Sequence, residues 1–290
     1  MASLNDVKNQ IVGVKKTKQI TKAMNMVASA KLRNAQERIE RFRPYADKFY
    51  EMLGDLAAGA DESVHPLLEV REETKSTGIV VVTSDRGLCG AFNANILSMA
   101  NKLANSKVAE GKTVKMYCIG KKSRDYFRKT EHEVVRAEAD AMSGFDFTLA
   151  SSIGSDVING YLTSALDEVI VVYGEFQSMA KQPPMTQQLL PMTSTSEEEG
   201  GSGSAEYVYE PSVEGLLAEL LPRFINVQVY RALLDTSCSE HAARMAAMDN
   251  ATKACDEMTD ALTLLYNKTR QASITADLMD IVGGAEALKG

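Results

Sequence analysis

The chain has 290 residues, 44% of them apolar and only 6% aromatic, with no Trp and a net charge of −7. That length supports one large domain or two ordinary ones, and the shortage of aromatic residues favours long helices over a β-sandwich. Residues 1–48 hold 11 Lys and Arg against 4 Asp and Glu, a balance of +7 that leaves −14 for the rest, and a basic arm on an acidic body points to an acidic partner.

The N-terminal segment, residues 1–58, carries a sustained heptad. Leu4, Val7, Ile11, Val14, Lys18, Thr21, Asn25, Ala28, Leu32, Ala35, Ile39, Phe42, Ala46, Phe49, Leu53 and Leu56 recur in alternating steps of four and three, the spacing of a coiled-coil seam. Ser3, with Asp6 three residues on, is a weak capping box. A helix of this length is a rod of roughly 80 Å, with a kink predicted at Pro44. The seam is poorest at Lys18, Thr21 and Asn25, where the pattern predicts a loose two-helix contact or a helix facing a third party.

Residues 76–192 have another texture. "TGIVVVTSD", "VKMYCIG", "HEVVRAE" and "DEVIVVYGEF" are strands, and helices are predicted in "RGLCGAFNANILSMANKLA", "KKSRDYFRKT" and "DFTLASSIGSDVINGYLTSAL". This alternation implies a mostly parallel sheet covered by helices. "PPMTQQLLPM" adds an edge strand, and "TSTSEEEGGSGSAE", within 193–206, reads as a flexible acidic linker.

From 207 to 290 runs a second rod, with a start or bend predicted at Pro222. Its apolar stripe reads Val227, Tyr230, Leu234, His241, Met245, Met248, Ala251, Cys255, Met258, Leu262, Leu265, Thr269, Ala272, Ala276 and Met279. The step from Met248 to Ala251 slips the phase. Two heptad segments at opposite ends of one chain pair most simply as an antiparallel coiled coil, giving an α/β chain of two long terminal helices plus a sheet domain.

Signals for catalysis are weak. The cysteines (89, 118, 238 and 255) form no C-x-x-C pair, and the three His are scattered, which predicts reduced packing thiols and no metal. "SDRGLCGAFN" follows a strand and opens a helix, so Gly87 and Gly90 invite a phosphate-binding reading. G-L-C-G is nonetheless an incomplete phosphate fingerprint, and Cys89 has no His nearby in sequence to activate it. A flavodoxin-like enzyme or nucleotide-binding regulator rests on that loop alone; a coiled-coil scaffold would explain the rods but not the folded middle. No stretch reaches the roughly 20 apolar residues of a membrane span, and no signal peptide is expected. Near the C-terminus, Lys268, Arg270 and Gln271 form a donor cluster beside Ser273 and Thr275, suited to carboxylate partners.

In "ITKAMNMVASAKL", "TSDRGLCGAFN", "KQPPMTQQLLP", "YVYEP" and "NKTRQASITADLMDIVGGAEA", the chain resembles the γ subunits of F-type ATP synthases, the central stalk of a rotary motor. Asp277 stands where many members carry Glu. The resemblance covers essentially the whole chain and implies a Rossmann-like middle domain and an antiparallel helix pair inside a hexamer of α and β subunits. One copy per complex would couple ion-driven rotation of the membrane c ring to ATP synthesis or hydrolysis and regulate it. The implied chain has no catalytic site, cofactor or nucleic-acid partner of its own. By motif, Arg270, Gln271 and Thr275 resemble residues engaging a β-subunit catch loop, and Lys22 and Met24 fall where the first helix nears an acidic lever of β. Tyr209 and Glu210 resemble the foot on the c ring, beside the ε subunit. The implied location is peripheral, on the cytoplasmic face of the bacterial inner membrane, with membrane contact only through the complex. The inserted cysteine pair of chloroplast relatives is lacking, since no Cys lies between Cys118 and Cys238.

Overall fold

The computed structural model describes residues 4–58, 66–68, 71, 73–192 and 213–287. Its elements are α1 (Leu4–Ala58), β1 (Ser76–Val82), α2 (Phe92–Ala109), β2 (Thr113–Ile119), α3 (Lys121–Phe127), β3 (Glu133–Glu138), α4 (Phe147–Leu162), β4 (Glu168–Gly174), β5 (Pro184–Leu190) and α5 (Val213–Ala287). Two compact units divide them: Met1–Ala28 with Met245–Gly290, and Ser29–Arg244.

The larger unit is built on a five-stranded sheet of order β3-β2-β1-β4-β5. β1 pairs in parallel with β2 and β4, β3 is parallel to β2, and β5 closes the other edge antiparallel to β4. Strand alternation sends β1 side chains to both faces. Val80 and Val82 join a core with Ile153, Val157 and Tyr161 of α4 and with Leu217, Leu221, Ile225, Val229 and Leu233 of α5. Ile79 and Val81 face Phe92, Ile96, Ala100 and Ala104 of α2 and Phe127 of α3. The i, i+4 run from Leu217 to Leu233 explains why this part of α5 docks: each fully buried aliphatic side chain contributes about 1.5–3 kcal/mol. Polar bonds pin the same helix. Thr236 Oγ1 accepts from the Gly174 amide, and Ser239 Oγ donates to the Gly174 carbonyl.

α1 contributes Phe49 to this core, with Ile39 and Phe42 packed against it. Tyr230 of α5 stands edge-on to Phe42, and Arg38 Nη2 donates to the Phe145 carbonyl. Both long helices run unbroken through their prolines. The start expected near Pro222 lies earlier, at Val213. A mid-helix proline costs about 3 kcal/mol, and here the flanking Ala46 and Phe49, or Leu221 and Ile225, are buried, so packing offsets the lost backbone bond. No described helix is long and apolar enough to cross a membrane.

Candidate partner-contact surface

In the smaller unit α1 and α5 meet antiparallel through three polar rungs. Lys18 Nζ lies 2.5 Å from Asp256 Oδ1, Thr21 Oγ1 lies 2.8 Å from Thr252 Oγ1, and Asn25 Nδ2 donates to the Met245 carbonyl at 2.9 Å. These are the positions where the heptad predicted looseness. The structure corrects the looseness: polar side chains reach across where Leu or Ile would have packed, and Thr21 is only 8% exposed.

The stripe predicted on α5 is corrected too. Met258 and Leu265 are exposed, while Ala251 of the predicted stripe is half-buried, as are Thr252, Cys255, Thr259, Leu262, Tyr266 and Thr269. Steps of three and four still hold, but Cys255, Leu262 and Thr269 belong to both stripes, so the seam is turned by about half a residue, roughly 50°.

Lys22 is exposed and Met24 half-buried on α1, and Arg270, Gln271 and Thr275 are all exposed on α5. Thr275 Oγ1 donates to the Gln271 carbonyl, leaving its lone pairs outward. At 100° per residue, Arg270, Gln271 and Thr275 fall within one arc of roughly 140°. The rungs place Lys22 level with about Ala251, so the two groups form separate stations roughly 28 Å apart along the pair. Tyr209, Glu210 and the acidic linker at 193–206 lie outside the described residues.

What sequence reasoning missed is the apolar exposure beyond the rungs. Leu264, Ile274, Leu278, Met279, Ile281 and Val282 are each more than half exposed. Such a concentration marks an interaction surface. The register sets Leu4, the first described residue of α1, level with about Thr269, and among the described residues the apolar positions of α5 beyond that level are exposed.

The loop after β1 is not an anion cradle. Arg244 Nε and Nη2 donate to the Gly87 carbonyl at 3.2 and 3.1 Å, and Nη2 also binds Glu240 Oε1 at 2.5 Å. Inside the loop, Ser84 N donates to Asn93 Oδ1 and Asn93 Nδ2 donates to Ser84 Oγ and Cys89 Sγ. The loop's carbonyls therefore receive the protein's own cation, which is the opposite polarity from phosphate binding. Burial pushes the Cys89 thiol up, making it a poor nucleophile. Burial also pushes the Glu240 carboxyl up, against the opposing pull of Arg244. It depresses His241 to about 4, helped by Arg244 and Lys31. A second buried carboxyl, Asp235, is pushed up to about 6, chiefly by burial and then by Glu175, against Arg231 and Arg43. Among the described residues no group of His, Cys, Asp or Glu is arranged to hold a metal.

A family model described as ATP synthase matches residues 3–288. The chain is similar to the ATP synthase gamma chain of Maridesulfovibrio salexigens, 73% identical over 100% of both chains, and to that of Nitratidesulfovibrio vulgaris strain Hildenborough, 72% identical over 100% of both. Among solved structures it is similar to a chain from the central stalk and c ring of Tetrahymena thermophila mitochondrial ATP synthase. The TM-score is 0.59 at 25% identity, over 80% of this chain and 99% of that one.

Proposed function

Since this chain belongs to the ATP synthase gamma-chain family, the non-catalytic rotor subunits of the enzyme's central stalk, we propose that its terminal helix pair turns inside a hexamer of α and β subunits. The observation that carries this reading is the exposed apolar run of α5 around Arg270, Gln271 and Thr275. A helix that exposes Leu264, Ile274, Leu278, Met279, Ile281 and Val282 needs an external wall, and a sleeve of partner subunits supplies one.

Within the sleeve the two stations act differently. Arg270 offers a fork of donors to a β-subunit catch loop, with Gln271 and Thr275 beside it. Lys22, with Met24 alongside, meets acidic groups of β in sequence. An exposed ion pair is worth about 0–1 kcal/mol, so each contact biases a β site yet breaks at the next step. Tyr209 and Glu210 are assigned to the foot on the c ring, beside the ε subunit. One copy per complex carries rotation from the ring to three catalytic sites, on the cytoplasmic face of a bacterial inner membrane and attached only through its partners.

Reconstitution tests this. Purified α and β, mixed with and without the chain, should gain ATP hydrolysis when it is present, with one copy per hexamer. If no copy enters the hexamer, the reading fails.

A further inference from the structure

We propose that the rungs Lys18–Asp256 and Thr21–Thr252 select which face of α5 meets α1, overriding a more apolar face on the same helix. Two stripes compete on α5. One combines Ala251, Met258 and Leu265 with the shared Cys255, Leu262 and Thr269; the other replaces those three by Thr252, Thr259 and Tyr266. Apolar burial favours the first. Ala251 and Thr252 are both half-buried, and beyond them the structure adopts the second, leaving Met258 53% and Leu265 44% exposed.

The polar partners decide between them. Turning α5 by the roughly 50° that centres the apolar stripe brings Ala251 to the middle of the seam and carries Thr252 and Asp256 away from Thr21 and Lys18. Thr21 would then keep only its bond to the Lys18 carbonyl of its own helix, and Lys18 would lose its anion. Turning it the other way sets Lys253 against Thr21. Sliding α5 by a heptad fails as well. One direction meets Thr21 with Thr259 but Lys18 with Thr263; the other meets Lys18 with Asp249 but Thr21 with Met245. Among these alternatives only the observed alignment pairs both side chains across the seam, the role best attested for polar residues in a coiled-coil seam.

The third rung holds without selecting. Asn25 binds a backbone carbonyl, that of Met245, and carbonyls recur on every turn. The Thr pair is degenerate in its protons. Thr21 Oγ1 also reaches the Lys18 carbonyl and Thr252 Oγ1 the Met248 carbonyl, so two protons serve three bonds, and either hydroxyl can donate across the pair.

Cysteine cross-linking in the full-length chain tests the proposal, in a Cys255→Ala background. Val14→Cys is combined with Thr259→Cys, which lies on the observed face, or with Met258→Cys, which lies outside it. With the rungs intact, mild oxidation should favour the 259 pair. Replacing the rungs with apolar side chains of similar size (Lys18→Met, Thr21→Val, Thr252→Val, Asp256→Leu) should shift the yield ratio by about tenfold toward the 258 pair, the combined effect of one hydrogen bond and one ion pair. Helix content by circular dichroism should not change. The milder double variant Thr21→Val with Thr252→Val should shift the ratio by about threefold, and it serves if the fourfold variant does not fold. An unchanged ratio in either folded variant overturns the proposal, because the phase is then inherited from the continuing helix.

Discussion

The sheet unit buries Ile79, Val80, Val81 and Val82 completely and packs α5 on the Val80 and Val82 face through Leu217, Ile225, Val229 and Leu233. The helix pair of the smaller unit buries far less: Val7, Thr21, Ala28 and Met248 fall below one-tenth exposure, and directed polar bonds supply what apolar packing does not. The first region carries its own core. The second has a thin seam and an apolar outer surface, and the proposed sleeve would cover that surface. A rotor needs both: a body that does not deform, and a shaft whose outer contacts form and break without unfolding it.

Four expected outcomes bear on that contrast. Arg244→Ala should produce the largest loss, about 3–5 kcal/mol, because it leaves Glu240 charged and buried with no partner; urea melts of the full chain measure it. Gly120→Ala should cost about 1–3 kcal/mol from backbone strain alone. Its φ is +93° and a Cβ there would overlap the Thr83 carbonyl oxygen, so a melt indistinguishable from wild type would show the sheet unit to be more yielding than described.

Asp235 contributes a pH dependence with a definite sign. The unfolded carboxyl releases its proton near pH 3.9, whereas the folded one holds it to about 6. Between those values the folded state binds more protons, so this residue's contribution to stability falls as pH rises through the window. His241 acts oppositely. Its folded value of about 4 lies below the unfolded 6.5, so its contribution is present above pH 6.5 and lost as pH falls toward 4. The difference between wild type and Asp235→Asn isolates the first effect. The variant should be more stable at pH 7 by about 3 kcal/mol and equal near pH 3.

The smallest effect on the free chain belongs to the shaft. Arg270→Ala with Gln271→Ala touches only exposed side chains and should change chain stability by less than about 0.5 kcal/mol. It should still weaken assembly or coupling with α and β, measured as ATP-driven rotation or coupled synthesis. Full coupling in that double variant would remove these residues from the proposed catch.

The sheet was legible in sequence because its signals are local. "TGIVVVTSD" and "DEVIVVYGEF" are apolar runs of strand length bounded by turn residues, and their alternation with helices fixes a parallel sheet. The two rods were equally visible in their heptads. The phase of α5 was not, because the apolar stripe favours Met258 and Leu265 while the choice is made by Thr21 and Thr252, 231 positions apart. No local pattern announces such a pair. The phosphate-like loop misled for the same reason: its glycines are local, but Arg244, which lies against Gly87, is 157 residues away. Arg270, Gln271 and Thr275 were found through motif resemblance, whereas the apolar surface beside them shows only in the exposure of Ile274, Leu278, Met279, Ile281 and Val282.

Hydrogen exchange, run on the free chain and on the chain assembled with α and β, tests the central contrast most directly. Amides of residues 270–287 should exchange rapidly in the free chain and gain at least about tenfold protection on assembly, while those of 79–82 stay equally protected in both. If residues 270–287 are already protected in the free chain, or gain nothing in the complex, the shaft does not depend on a surrounding sleeve and the account is contradicted.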